Sequence, residues 1–257
     1  MIEIKNLIKS FEGKSVLRDI SAVFESGKTN LIIGRSGSGK TVLMKNLIGL
    51  MRADSGEILY NGRNIIAMRK KELKMLRQEM GMLFQGSALF DSMTVLENVI
   101  FPLTMFTKDS YKERYKRAVF CLERVNLKDA KDLYPAEISG GMMKRAGIAR
   151  AIALNPKYLF CDEPNSGLDP KTSLLIDDLI FDITKEYQIT TVINTHDMNS
   201  VMNIGEKIIF INEGEKAWEG TKDEIMYANN KDLNDFVFAS DLFKKVRNVE
   251  NSMEQEG

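Results

Sequence analysis

Short apolar runs separated by polar, glycine-rich breaks divide the chain into alternating strands and helices. Residues 2–7 and 16–24 alternate or run apolar, as short strands do. Leu31-Ile32-Ile33 is a continuous apolar run before a glycine-rich loop, which predicts a buried strand of a parallel sheet. Residues 41–50 then take helical spacing through Val42, Leu43, Leu47, Ile48 and Leu50. Residues 56–62 read as a strand ending in an Asn61-Gly62 turn. Residues 68–78, rich in lysine and arginine, read as a solvated helix face, and residues 81–84 as another core strand. Residues 93–126 are helical in character, with Pro102 as the expected interruption, and suggest a helical subdomain inserted into a sheet domain.

The pattern then repeats. Residues 141–154 are helical, with Ala146, Ile148, Ala149 and Ile152 near one face. Residues 158–161 and 190–194 read as buried strands, and residues 208–211 lead through Glu213-Gly214 into a hairpin. After Gly220 the chain is expected to turn helical, then polar, with residues 248–257 frayed or disordered. Leu233, Phe236, Val237, Phe238, Leu242 and Phe243 form an amphipathic stretch suited either to docking or to packing on its own domain. No internal repeat is present.

Composition narrows the class without deciding it. A chain of 257 residues can bury a sizeable core, and its 44% hydrophobic and 28% charged content are ordinary for a globular protein. With 36 basic and 36 acidic residues the net charge is zero, which argues against a nucleic-acid partner. Two cysteines do not make a disulfide framework, and Cys161, inside an apolar run, reads as a buried reduced thiol. No apolar stretch approaches a membrane span, and no charged start precedes an apolar segment at the N-terminus. The expectation is a cytoplasmic chain that another chain carries to a membrane if it works there.

The chemistry-bearing residues fall at the ends of these strands. Gly34-Arg35-Ser36-Gly37-Ser38-Gly39-Lys40-Thr41 fits the phosphate-cradling loop, in which backbone N–H groups and a helix N-terminus face the anion. Lys40 is expected to reach the β- and γ-phosphates and the Thr41 hydroxyl to take Mg²⁺. Asp162-Glu163 ends an apolar strand; Asp162 would hold Mg²⁺ and Glu163 polarise the attacking water, or the pair is a solvated acidic turn before Pro164. His196, the single histidine, ends another strand and is placed to sense the γ-phosphate; with no second histidine it is not a metal centre. Gln85 follows a strand and either ligates Mg²⁺ or orients water, or makes a loop hydrogen bond. Ser139-Gly140-Gly141 opens a helix as a second phosphate cradle, facing a nucleotide held by another copy, or as a simple N-cap.

Together these residues resemble the ATP-binding cassette (ABC) ATPases over residues 1–220. The resemblance implies an α/β P-loop NTPase fold: a RecA-like core, an N-terminal antiparallel β-subdomain and a helical subdomain at about 88–155, followed by a helical extension and polar tail at 221–257. It makes Phe11 the adenine-stacking aromatic and Gln85 the Q-loop glutamine. Ile138-Ser139-Gly140-Gly141-Met142 becomes the signature loop, Ser166-Gly167-Leu168-Asp169 the D-loop and His196 the switch histidine. Asp162 and Glu163 become the magnesium aspartate and the catalytic glutamate. Ile138 and Met142 depart from the usual Leu-Ser-Gly-Gly-Gln. Ser-Gly-Gly-Met with the following 143–150, and residues 83–95, are similar to the ATPases of Mla/Mce-type phospholipid transporters.

That likeness implies ATP and Mg²⁺, a head-to-tail homodimer, an integral membrane permease as partner and a periplasmic Mce-type lipid-binding protein beyond it. The chain would sit on the cytoplasmic face of the inner membrane of a bacterial envelope. An ABC ATPase of another importer or exporter class is the alternative. A soluble ABC ATPase acting on nucleic acid or ribosomes fits poorly with one cassette and no net positive charge. A P-loop kinase gives no reason for Ser139-Gly140-Gly141 or His196.

Overall fold

The computed structural model describes residues 1–239. The chain opens with the hairpin β1 (Ile2–Phe11) and β2 (Lys14–Phe24), and then enters β3 (Thr29–Ile33), whose five residues are all buried. After the glycine-rich loop comes α1 (Lys40–Leu47), which stops before Gly49 at φ +69°. Strand β4 (Ser55–Tyr60) turns at Asn61-Gly62, both at positive φ, into β5 (Arg63–Asn64). This is the two-residue turn that the Asn-Gly pair predicts. Helix α2 (Lys70–Gln78) buries only Leu76 and leads to β6 (Met80–Leu83).

Three helices separate β6 from the next strand: α3 (Val95–Phe106), α4 (Tyr111–Arg124) and α5 (Gly140–Ile152). The second half alternates β7 (Tyr158–Asp162), α6 (Pro170–Tyr187), β8 (Thr190–Asn194), α7 (Met198–Ile204) and β9 (Lys207–Asn212). Strand β10 (Glu215–Gly220) returns as a hairpin, followed by α8 (Lys222–Ile225) and α9 (Lys231–Val237).

Two sheets result. The antiparallel one has the order β2-β1-β4-β5; the main one runs β10-β9-β3-β8-β7-β6, parallel except for β10. The order puts β3 between β9 and β8, so strands distant in sequence end side by side. Ligand sites of open parallel sheets lie beyond the carboxyl ends of such strands. One core fills the space between the antiparallel sheet, α1 and one face of the main sheet, with Phe24, Tyr60, Tyr158 and Phe160 fully buried. The other lies between the opposite face and α3–α7, and continues into α9 through Leu233 and Val237.

Pro102 does not interrupt its helix: it lies inside α3, and the break falls after it, at Thr107. One lost N–H bond and its steric cost are offset by burial of Val99, Ile100 and Leu103 in the shared core. The amphipathic stretch takes the second of its two expected forms. Leu233, Val237 and Phe238 are buried and Phe236 stacks on Phe210 with ring centroids 5.5 Å apart, so this segment packs on its own domain; Leu242, Phe243 and residues 248–257 lie outside the described residues.

Helix α5 lies so close to β6 that a side chain does not fit between them. A Cβ on Gly81 would stand 2.4 Å from the Ala151 carbonyl oxygen, and both partners are backbone. Gly81→Ala is therefore expected to destabilise the fold by about 1–3 kcal/mol. Urea unfolding checks it: an unchanged midpoint would mean that α5 can move away.

Candidate functional site

The glycine-rich loop takes its shape from backbone crowding. A Cβ on Gly34, at φ +150°, would lie 2.2 Å from the Ile211 carbonyl oxygen, and one on Gly39, at φ +108°, would meet the Val16 carbonyl and Leu17 at 3.0 Å. Only glycine meets both conditions. The loop is pinned on one side by Ser38 N–H donating to the Arg35 carbonyl (3.2 Å), and on the other by Gly214 N–H donating to the Ser38 carbonyl (3.0 Å).

Lys40 folds back over this loop. Its Nζ donates to the Gly34 carbonyl at 2.7 Å and to the Arg35 carbonyl at 2.9 Å. The side chain is buried, and burial pushes its pKa down, against the nearby charges of Glu163 and Asp162 that pull it up. A buried ammonium resting on two neutral carbonyls gains from an anion placed beside it. The Ser38 Oγ is buried without a hydrogen-bond partner, a second unfilled polar position in the same loop. Both features fit a phosphate group, and the oxygen and amide donors Thr41, Asp162 and Gln85 are the hard ligands that suit Mg²⁺.

Strand register builds the opposite wall. Asp162 of β7 stands directly across from Asn194 of β8, and Asn194 Nδ2 donates to Asp162 Oδ1 at 2.5 Å. Next along, Glu163 adopts φ +48°, its N–H donating to the Asn194 carbonyl at 2.9 Å. That turn aims its carboxylate at His196, whose Nδ1–H donates to Glu163 Oε1 at 2.9 Å. An ionised carboxylate only accepts, so the hydrogen is assigned to Nδ1, and in the neutral ring Nε2 is an acceptor. The two groups differ in exposure: the His196 side chain is 66% exposed, that of Glu163 only 15%.

These residues meet in one cleft of about 1060 Å³, lined by Arg35, Ser36, Gly37, Lys40, Thr41, Gln85, Glu163, Ser166 and His196. Asp162 is half-buried and does not line it. Gln85 uses its side chain, Nε2 donating to Ser166 Oγ at 3.2 Å, while its carbonyl accepts from the buried Lys144 Nζ. Lys144 also donates to the Glu163 carbonyl at 3.3 Å, so one buried cation of α5 bridges two loops of the cleft. Helix α9 closes one rim with Asp235 and Phe236.

Phe11 is not part of this cleft. It sits at the end of β1, 41% exposed, with the Lys9 ammonium 5.3 Å from its ring centroid. The serine-glycine loop also lies elsewhere, lining a separate cleft of about 460 Å³ with Met142, Arg145 and Asp169. There Ser139 Oγ accepts from Met142 N–H at 3.3 Å, the simple N-cap, and Asp169 caps α6 through Thr172 N–H at 3.1 Å. Gly140 and Gly141 keep the start of α5 bare: a Cβ on Gly141 would meet the Thr172 methyl at 2.6 Å. Gly167 borders both clefts, so the 166–169 loop is the ridge between them.

Two participants escaped the reading of the sequence. Asn194 is one of several polar residues near His196, and only the parallel register with β7 shows that it faces Asp162. Lys144 sits in a basic pair with Arg145, a pattern that usually marks solvent.

The family model for the ABC transporter matches residues 17–166. A protein of Mycobacterium leprae named as a probable ribonucleotide transport ATP-binding protein is 41% identical over 207 residues, 80% of this chain and 60% of that protein. A methionine import ATP-binding protein of Clostridioides difficile is 38% identical over 92% of this chain and 74% of its own length. The chain thus spans about 60% of the length of the mycobacterial relative. Among solved structures, the ATP-binding cassette MJ0796, in a dimeric post-hydrolysis state bound to ADP and Pi, superposes with a TM-score of 0.79. It is 32% identical and the match covers 86% of this chain and 99% of that one.

Proposed function

This chain belongs to the ABC transporter family, and from that premise we propose that it is the ATP-hydrolysing subunit of a membrane transporter that moves phospholipid or a related lipid in a bacterial envelope. The observation that carries the ATPase reading is the single cleft that joins the glycine-rich loop to the Glu163–His196 pair.

Each residue has a part in that chemistry. The loop N–H groups and Lys40 would neutralise the triphosphate, and Thr41, Asp162 and Gln85 would hold Mg²⁺. The bound ion would supply charge stabilisation to the β- and γ-oxygens. Glu163, the less exposed of the pair, would take the proton of the attacking water. His196 fixes the Glu163 carboxylate through Nδ1–H; its Nε2 can donate to a γ-phosphate only when the ring carries both protons.

The second cleft supports assembly. Within one chain Ser139, Gly140, Gly141 and Met142 line a cleft separate from the P-loop cleft, across the 166–169 ridge. A head-to-tail pair of copies would bring each serine-glycine loop against the other copy's nucleotide, with ATP closing the pair and hydrolysis reopening it. Among the described residues no helix is long and apolar enough to cross a membrane. We place the chain on the cytoplasmic face of the inner membrane, docked on a permease, with an Mce-type lipid-binding protein beyond it. The helical region 88–155 would pass the movement to the permease.

The cargo rests on residues 139–150 and 83–95 alone. A second reading, import of a small polar solute, is favoured by the methionine import relative that matches over 92% of this chain. Co-purification with the permease encoded beside the gene, followed by mass spectrometry of bound lipid, separates the two. A complex that carries phospholipid, with turnover indifferent to methionine, is expected. A lipid-free complex stimulated by methionine would contradict the cargo assignment.

A further inference from the structure

Behind the Glu163–His196 pair lies a buried polar ring of three side chains that no motif contains, with Asn165 Oδ1 left without a partner. Asn165 Nδ2 donates to Asp177 Oδ1 at 2.8 Å and to Ser200 Oγ at 2.9 Å. The Ser200 hydroxyl also lies near the Asp177 carboxyl and favours its ionised form. All three side chains are buried: Asn165 is 8% exposed, Asp177 1% and Ser200 0%.

Their surroundings make the ring costly. Asp177 and Ser200 sit where α6 packs on α7, among the buried apolar residues Ile176, Ile180, Val201 and Ile204. Burial pushes the Asp177 carboxyl up to about 6; the bonds from Ser200 and Asn165 pull it down, and Asp197 and Asp178 add repulsion. An apolar contact would hold the helices together at lower cost, so helix packing alone does not account for the ring.

What it positions follows from the connectivity. Asn165 is two residues after Glu163, in a turn where Ser166 N–H donates to the Glu163 carbonyl (3.2 Å) and Leu168 N–H to the Asn165 carbonyl (3.1 Å). Ser200 is in α7, whose N-cap Asp197 directly follows His196. The ring therefore ties the segment that carries Glu163 to the segment that carries His196, and anchors both on α6.

We propose that Asp177, through Asn165 and Ser200, is a positioning residue that holds Glu163 and His196 in register. The proposal rests on the roles given to that pair above, but its test does not depend on activity alone. His196 is the only histidine, so a ¹⁵N-labelled full chain gives one imidazole pair of signals, and Glu163→Ala, which removes the acceptor, supplies the reference for a broken pair. Asp177→Asn keeps the shape and removes the charge. Its imidazole signals are expected to move toward those of Glu163→Ala. Its kcat for ATP is expected to fall about tenfold, the usual cost of losing a supporting shell, with KM unchanged within about twofold.

Ser200→Ala, which removes one hydroxyl from a helix, is expected to shift the same signals less, and keeps the test informative if Asp177→Asn does not fold. Imidazole signals that superimpose on those of the wild type in the folded variants would overturn the proposal. So would a kcat loss that tracks only a lower melting temperature. A wild-type chain without ATP turnover would contradict the function assigned above, and the imidazole signals would still decide the ring.

Discussion

Glu163→Gln is expected to lower ATP turnover by about 10²–10⁴-fold, the range for removing a general base, with ATP still bound. The amide keeps the size of the side chain and can still pair with His196, so the cleft should survive. What it loses is the capacity to accept the water proton. Lys40, Thr41 and the loop N–H groups, to which nucleotide binding is assigned above, are untouched. If hydrolysis reopens the closed pair of chains, the variant should remain closed with ATP and sediment as a dimer. Phosphate release and sedimentation in ATP check both halves. Turnover equal to that of the wild type would remove Glu163 from its role.

Ser139→Arg is expected to reduce turnover by about 100-fold or more, because it plants a bulky cation and removes a cap where the proposed assembly seats the partner's nucleotide. Part of the loss is local, since the Ser139 Oγ bond to Met142 N–H caps α5. Such a cap contributes about 1 kcal/mol, too little to unfold the chain. The P-loop of the same chain lies in a different cleft, so its affinity for ATP should stay within about twofold. Fluorescent nucleotide titration beside phosphate release separates the effects. A parallel fall in P-loop affinity would mean that the serine-glycine loop serves its own chain.

The site was legible wherever chemistry demands a local pattern. Gly34 to Thr41 is contiguous because one loop must wrap one phosphate, and Asp162-Glu163 is adjacent because strand end and turn follow each other in the chain. The run Leu31-Ile32-Ile33 was equally plain, since a strand covered on both faces carries consecutive apolar residues; the buried Thr29 and Asn30 that begin the same strand were not. Non-local placement was not legible. Nothing in the sequence says that β3 lies between β8 and β9, although that order brings Lys40 to the Glu163–His196 pair. Nor do three polar residues in separate segments announce the ring of Asn165, Asp177 and Ser200, because each alone reads as solvent-facing. Pro102 misled for a related reason: tertiary burial kept a helix that local chemistry disfavours. Phe11 owes its assignment to family likeness alone, and within one chain it lies outside the phosphate cleft.

Shared occupancy of one nucleotide by two chains is tested most directly by mixing two inactive variants. Lys40→Ala empties its own P-loop but keeps an intact serine-glycine loop; Ser139→Arg does the reverse. In a mixed pair, the P-loop of the Ser139→Arg chain faces the intact loop of its partner, so one complete site re-forms. Equal mixing should restore up to about a quarter of wild-type turnover, given random pairing and one good site in each mixed pair. A mixture as inactive as either variant alone would contradict assembly of the site across two copies.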